Sequence, residues 1–187
     1  MTSADREILV WIKKELGETI RKAVADSGTD FEESLLGAMV LREVGVIISR
    51  NVPKKLSMMD ISGITRGDYT KRKNDKEEMY HGYSYFQIDI DSFPDFVKSG
   101  NWKDPYKSCL MAIKVLEGKR KYIASKCPEL DEKSLYRATI AAYNYGEGTA
   151  CKRIKAKQDI DLGTAHNNYS KLVLECKECY EGLFKTV

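Results

Sequence analysis

Apolar residues recur along most of this chain at intervals of three and four, the rhythm of helices that share a core. In residues 5–26 the stripe is Ile8, Trp11, Ile12, Leu16, Ile20, Ala23 and Val24, and Ser27-Gly28 closes it. This predicts one long first helix. Thr29 and Glu32 have capping-box spacing and predict where a second helix starts. Residues 35–46 of that helix, LLGAMVLREVGV, are apolar almost throughout, yet they contain Glu43. Leu36, Met39 and Val40 stand seven, four and three positions before it, which puts all four side chains on one helical face. Arg42 is expected on another side, toward water.

Residues 51–81 break the rhythm. They hold Pro53, Gly63, Gly67 and the charged run KRKNDKEE, and they predict an irregular insertion or lid loop with the charges on a solvated surface. Residues 82–90, GYSYFQIDI, are rich in strand formers and predict a short strand or hairpin, with Gln87 and Asp89 leaving one face. Residues 92–97 fit one or two helical turns. Asp104-Pro105 starts a helix to residue 126, and Cys127-Pro128 breaks it. A further helix, capped near Asp131, runs through Ala142 and is stopped by Gly146 and Gly148. A basic helix over 149–157 follows. The last helix, over 165–183, carries Tyr169, Leu172, Val173, Cys176 and Tyr180 as its stripe. Without βαβ alternation or a repeat, the pattern predicts an α+β fold, predominantly helical, with a small β-hairpin in one domain over 1–187.

Length and composition narrow the functional classes. The chain has 187 residues, enough for one substantial core. A net charge of +3 is too small to argue for a nucleic-acid partner, and Lys152, Arg153, Lys155 and Lys157 read as a solvated basic face. No apolar run approaches the ~18 residues of a membrane span. The N-terminus lacks the basic-then-apolar order of a secretory signal, so any export route stays open. Five cysteines are an odd count and point to free thiols, with Cys176-x-x-Cys179 a weak pair. His81 and His166 lie far from that pair in sequence, so half a zinc site has no second half. Neither a metal nor a cofactor is expected, and a monomer is.

Carboxylates are the remaining candidates. An acid against apolar neighbours resists ionisation, and a proton held near neutral pH is what a general acid needs. The plain alternative for Glu43 is an ion pair with Arg42 or Arg50. Glu78, Asp89 and Asp91 flank the aromatic segment that contains Tyr83. Aromatic faces stack on pyranose rings while amides and carboxylates hold hydroxyls, so Gln87 and Asp89 beside tyrosines suit a sugar; an exposed hairpin turn fits the segment equally well. In IAAYNYG, residues 140–146, two small alanines allow close helix approach and put Tyr143 and Asn144 at a helix end. A phenol there suits hydrogen bonding to a buried acid, and an amide suits an acetamido group.

These pieces, in this order, resemble the goose-type lysozyme and soluble lytic transglycosylase superfamily. The carriers are LREVG around Glu43, GYSYFQID ending at Asp89, AAYNYG around Tyr143 and Asn144, and DIDLGTAHNNY ending at Tyr169. The resemblance covers roughly residues 34–180. It implies a lysozyme-like fold and cleavage of the β-1,4 bond between N-acetylmuramic acid and N-acetylglucosamine in peptidoglycan or a related glycan, at the cell wall. It implies Glu43 as the catalytic acid and Asp89 and Glu78 as the acids that position the attacking water. Gln87, Tyr83, Tyr143 and Asn144 are implied along the groove, with Tyr169 near the catalytic acid. The chain departs from the pattern at Val44, where a serine is common, at Ser84, Tyr85 and Phe86 in the strand motif, and at Tyr145. Glu43 and Asp89 are 46 positions apart, wider than the goose-type spacing, which is why an insertion is expected over 51–81. Two other readings share the motifs. One is a lytic transglycosylase giving 1,6-anhydromuramyl products; the other is a glycan-binding module without activity.

Overall fold

The computed structural model describes residues 1–183. The molecule is predominantly helical, with a three-stranded antiparallel sheet, an α+β architecture. Its axis is α3, Glu33–Asn51, in which every residue from Ser34 to Leu41 is buried. A helix apolar on all sides belongs at the centre of a bundle. The expected single apolar stripe is thus one sector of a wider buried surface, because Leu35, Ala38 and Leu41 are buried as well.

The first expected helix is two. α1, Ser3–Glu15, is closed at its start by a reciprocal capping box between Thr2 and Asp5. α2, Gly17–Ser27, ends at Gly28 with φ +65. At the Leu16-Gly17 break the chain passes close to its neighbours: a Cβ at Gly17 would stand 3.1 Å from Glu33 Oε1 and 3.3 Å from the Tyr180 hydroxyl. The second capping box does not form. Thr29 accepts from Phe31 N at 3.4 Å, and the N-cap of α3 is Glu32, without a side-chain bond to the helix. Glu32 instead accepts from the Tyr136 hydroxyl at 2.7 Å and pairs with Lys177 at 3.2 Å, so it ties helices together.

Most of the stretch expected to be irregular is ordered. It contains a 3-10 turn at Val52–Lys54, α4 at Met58–Ile64 and strand β1 at Arg66–Thr70. Ser57 and Asp60 cap α4 reciprocally, and Ile61 reaches the core. The stretch's longest run between elements is residues 71–78, before β2 at Met79–Tyr83 and β3 at Ile88–Asp89. The sheet order is β1-β2-β3, with Gly67 opposite Gly82 and Gly82 opposite Asp89. The sequence pattern misses both α4 and β1; the Arg-Gly-Asp-Tyr-Thr of β1 lacks an apolar alternation because it is a sheet edge.

After the sheet come α5, Pro94–Lys98, and α6, Pro105–Lys126, whose cap is Asp104 as the Asp-Pro signal implies. α7, Glu132–Tyr145, is capped by Asp131 and ends at Gly146, φ +90. α8 spans Glu147–Lys155 and α9 spans Tyr169–Gly182. The last helix starts four residues later than expected, since His166 and Asn167 adopt left-handed conformations. α9 packs along α3, α6 along α2 and α7. The sheet, the middle of α3, one side of α6 and the end of α7 line an open cavity.

Candidate active site

That cavity has a volume of about 550 Å³, and Glu43, Arg72, Gln87, Asp89, Tyr143 and Asn144 are on its walls. Glu43 comes from the buried helix α3 and is itself half-buried, on the wall of the cavity. Loss of solvation by burial raises its pKa to about 7, against a hydrogen bond from Tyr169 and the charge of Arg42, which both favour the ionised form. The Tyr169 hydroxyl donates to Glu43 Oε1. The proton of the neutral acid therefore belongs on Oε2. Arg42 is half-buried rather than in open water, and no ion pair joins it or Arg50 to Glu43 among the described residues.

Two phenols stand beside this acid. Tyr169 is 2% exposed, and burial, then the Glu43 charge, pushes its pKa well above the ordinary value. It stays a donor throughout the pH range of interest. Tyr143 donates at 2.8 Å to the Phe86 carbonyl, not to Glu43, and is likewise held protonated by burial and by Glu43. The phenol on the acid comes from the tail rather than from the α7 terminus. Tyr143 has a joining role: it ties α7 to the turn that follows β2.

Tyr169 is fixed by the start of α9. Asp161, 1% exposed, accepts from Ser170 N at 2.7 Å, Ser170 Oγ at 2.8 Å, Lys171 N at 3.2 Å and Arg137 at 3.1 Å. Burial opposes the Asp161 charge, but these donors outweigh it and hold its pKa below the usual carboxylate value. A buried anion on the first backbone N–H groups of a helix is well placed against the helix dipole. Asn144 Oδ1 accepts from Ala165 N at 2.9 Å, so its oxygen anchors the same loop and only its NH2 is left to face a ligand. Asp161 is legible only as part of the DIDLGTAHNNY motif; its burial and role have no local pattern.

The opposite wall is the sheet. Gln87 is not in a strand. It closes the turn after β2 with φ +50, with its Nε2 on Ser84 O at 3.0 Å. Tyr85 and Phe86, each 1% exposed, plug the core from this turn. The Gln87 amide lies in a notch left by two glycines: a Cβ at Gly82 would come 2.5 Å from its Oε1, and a Cβ at Gly67 would collide with it too. Asp89 Oδ1 accepts from Arg72 at 2.7 Å, and Oδ2 accepts from Ser92 N at 3.0 Å and Ser92 Oγ at 2.8 Å. Burial alone would raise the Asp89 pKa, but Arg72 and Ser92 more than offset it and hold it low. Asp89 is the ionised partner to a protonated Glu43. Arg72 also reaches Asp68 at 2.7 Å and Asp91 at 2.5 Å. It lies in the charged run read as solvated surface, and a long arm folding back from a loop has no signal in periodicity.

Two expected site residues lie elsewhere. Glu78 is exposed just before β2 and is not on the cavity wall, because the loop over 71–78 turns only its base toward the site. Tyr83 also lies off the cavity: its ring packs edge-on against Trp102 at 5.1 Å. With β2 pleated, neighbours Gly82 and Tyr83 face opposite ways, and Gly82 takes the cavity side. Compared with known proteins, the chain matches no family model and no curated protein sequence.

Proposed function

We propose that this protein has a lysozyme-like fold and is a muramidase, hydrolysing the β-1,4 bond between N-acetylmuramic acid and N-acetylglucosamine in peptidoglycan at the cell wall. The observation that carries the reading is Glu43, a carboxyl whose pKa is raised to about 7 on the wall of an open cavity, opposite the ionised Asp89. Paired carboxyls driven to different protonation states by their surroundings are the usual equipment for breaking a glycosidic bond. Glu43 gives its proton to the leaving oxygen. Asp89 takes a proton from the water that attacks the far side of the sugar. Tyr169 stabilises the Glu43 carboxylate formed by proton transfer, and the Gln87 amide and Asn144 NH2 hold ring substituents. Replacing Asp89 by Asn should lower kcat by about 10²-fold or more with little change in KM, since a general base acts in the transition state. A normal kcat would remove Asp89 from the mechanism.

A lytic transglycosylase remains the second reading for a specific reason. Both oxygens of Asp89 are already taken by Arg72 and Ser92, which weakens it as a base. In that chemistry the muramyl 6-hydroxyl attacks, and Glu43 donates a proton and recovers one. Digestion of purified peptidoglycan followed by end-group analysis separates the readings. Hydrolysis leaves reducing muramic ends; transglycosylation leaves only 1,6-anhydro ends. No release by the wild-type protein, or equal release by Glu43→Gln, would overturn both.

A further inference from the structure

Behind Asp89 the sheet holds a group that the glycan chemistry does not use. His81 lies on β2 with its side chain fully buried. Its Nε2 is 3.2 Å from the Thr70 carbonyl and 3.1 Å from Asp75 Oδ2. A carbonyl only accepts, so Nε2 carries the hydrogen and donates. The neutral ring then has a bare lone pair at Nδ1. That atom is buried and has no hydrogen-bond partner. It faces Asp91 Oδ2 at 3.6 Å, so in the neutral ring an acceptor faces an acceptor. A buried polar atom left without a partner is unfavourable, and the neutral ring adds repulsion at this contact.

The surrounding charge is unbalanced in the same direction. Asp68, Asp89 and Asp91 all contact Arg72, and Asp75 contacts His81. One guanidinium thus stands against four carboxylates. One ligand atom from each of His81, Asp89 and Asp91 lies within 4.8 Å of the others. Two ligands held tetrahedrally at about 2.1 Å from a zinc ion sit about 3.4 Å apart, close to the Nδ1–Asp91 separation. Asp91 is 54% exposed along its side chain, which provides a route in from solvent.

We propose that His81 Nδ1, Asp91 and Asp89 form a binding site for a divalent transition-metal ion of the zinc class. One imidazole nitrogen and two carboxylate oxygens suit zinc, cobalt or manganese better than magnesium or a soft ion. Thr70 and Asp75 hold the ring by its other nitrogen, the arrangement that fixes a metal-binding histidine. Ile90 N donates to His81 O at 2.9 Å, which draws the chain just after β3 alongside His81 and brings Asp91 to its ring. Arg72 Nη1 bridges the same two carboxylates and is the internal competitor of the ion. Asp89 is shared with the glycan reading, but metal binding is measured without substrate, so the two can fail separately.

The test is titration of the chelator-treated full chain with Co²⁺ and Zn²⁺, followed by visible absorption and calorimetry. Expected is one equivalent bound, with a cobalt spectrum free of the thiolate charge-transfer bands that the cysteines would give. Asp91→Asn, at an exposed position, should weaken binding by roughly tenfold or more, and His81→Gln should do the same. Arg72→Gln should tighten it. Absence of binding, thiolate bands, or an affinity unchanged in Asp91→Asn would overturn the proposal. If His81→Gln does not fold, Asp91→Asn and Arg72→Gln decide the question.

Discussion

A carboxyl set among Leu, Met and Val side chains loses the water that would stabilise its charge, and Glu43 responds by keeping its proton up to about pH 7. The same shift has a cost in stability. Glu43 titrates near 4.5 when unfolded and near 7 when folded, so between those values the folded state binds the extra proton. Stability present below about pH 4.5 therefore falls as pH rises and is lost above 7, by up to about 3 kcal/mol, less whatever cavity water returns to the side chain. Glu43→Gln should accordingly be inactive yet more stable than wild type at pH 8, with the gap closing below pH 5; denaturant titrations at the two pH values check this. Tyr169→Phe removes a bond that favours the ionised acid. It should move the alkaline limb of the pH–rate profile upward, and an unmoved limb would mean that the phenol does not act on the acid. At this scale the sequence was informative where chemistry and periodicity coincide. Glu43 stands out because a charge interrupts an apolar period. Arg72 and His81 do not, because what matters about each is a partner brought close by folding.

The elements were legible where capping signals were strong: Asp104 with Pro105 and Asp131 both start helices as their types require. Thr29 and Glu32 misled because Glu32 is drawn to Tyr136 and Lys177, contacts with α7 and α9 that local sequence does not contain. β1 was hidden for the opposite reason, as an edge strand with few buried side chains. The start of α9 is the element on which the acid's environment depends most. Its N-terminal N–H groups rest on Asp161, and Tyr169 is its first residue. Asp161→Ala should cost about 2–3 kcal/mol through the lost cap and the buried donors left unpaired. It should also lower kcat more than a surface substitution of equal destabilisation, because Tyr169 loses its placement. Thermal denaturation together with kinetics on soluble peptidoglycan fragments separates the two effects.

At the scale of the whole molecule, a helix buried all round in its first half presents an acid to a cavity whose far wall is a small sheet. Tyr143 on the Phe86 carbonyl joins the two sides, and Tyr85, whose hydroxyl donates to Met58 O at 2.6 Å, ties the same turn to α4. Such cross-links keep the acid and Asp89 at a fixed separation, which a reaction with two carboxyls requires. The helical class and the small sheet were readable from periodicity. The cavity was not, since it exists only where residues distant in the chain meet, and this is also why Glu78 and Tyr83 looked like site residues until the sheet's geometry set them aside. The central claim concerns one proton, and it can be observed directly. Carbon NMR of the glutamate side-chain carboxyls, with the Glu43→Gln protein identifying the resonance, gives the titration of Glu43 itself. A midpoint near 7 is the result expected here; a Glu43 that titrates with the exposed glutamates, near pH 4–5, would contradict the account.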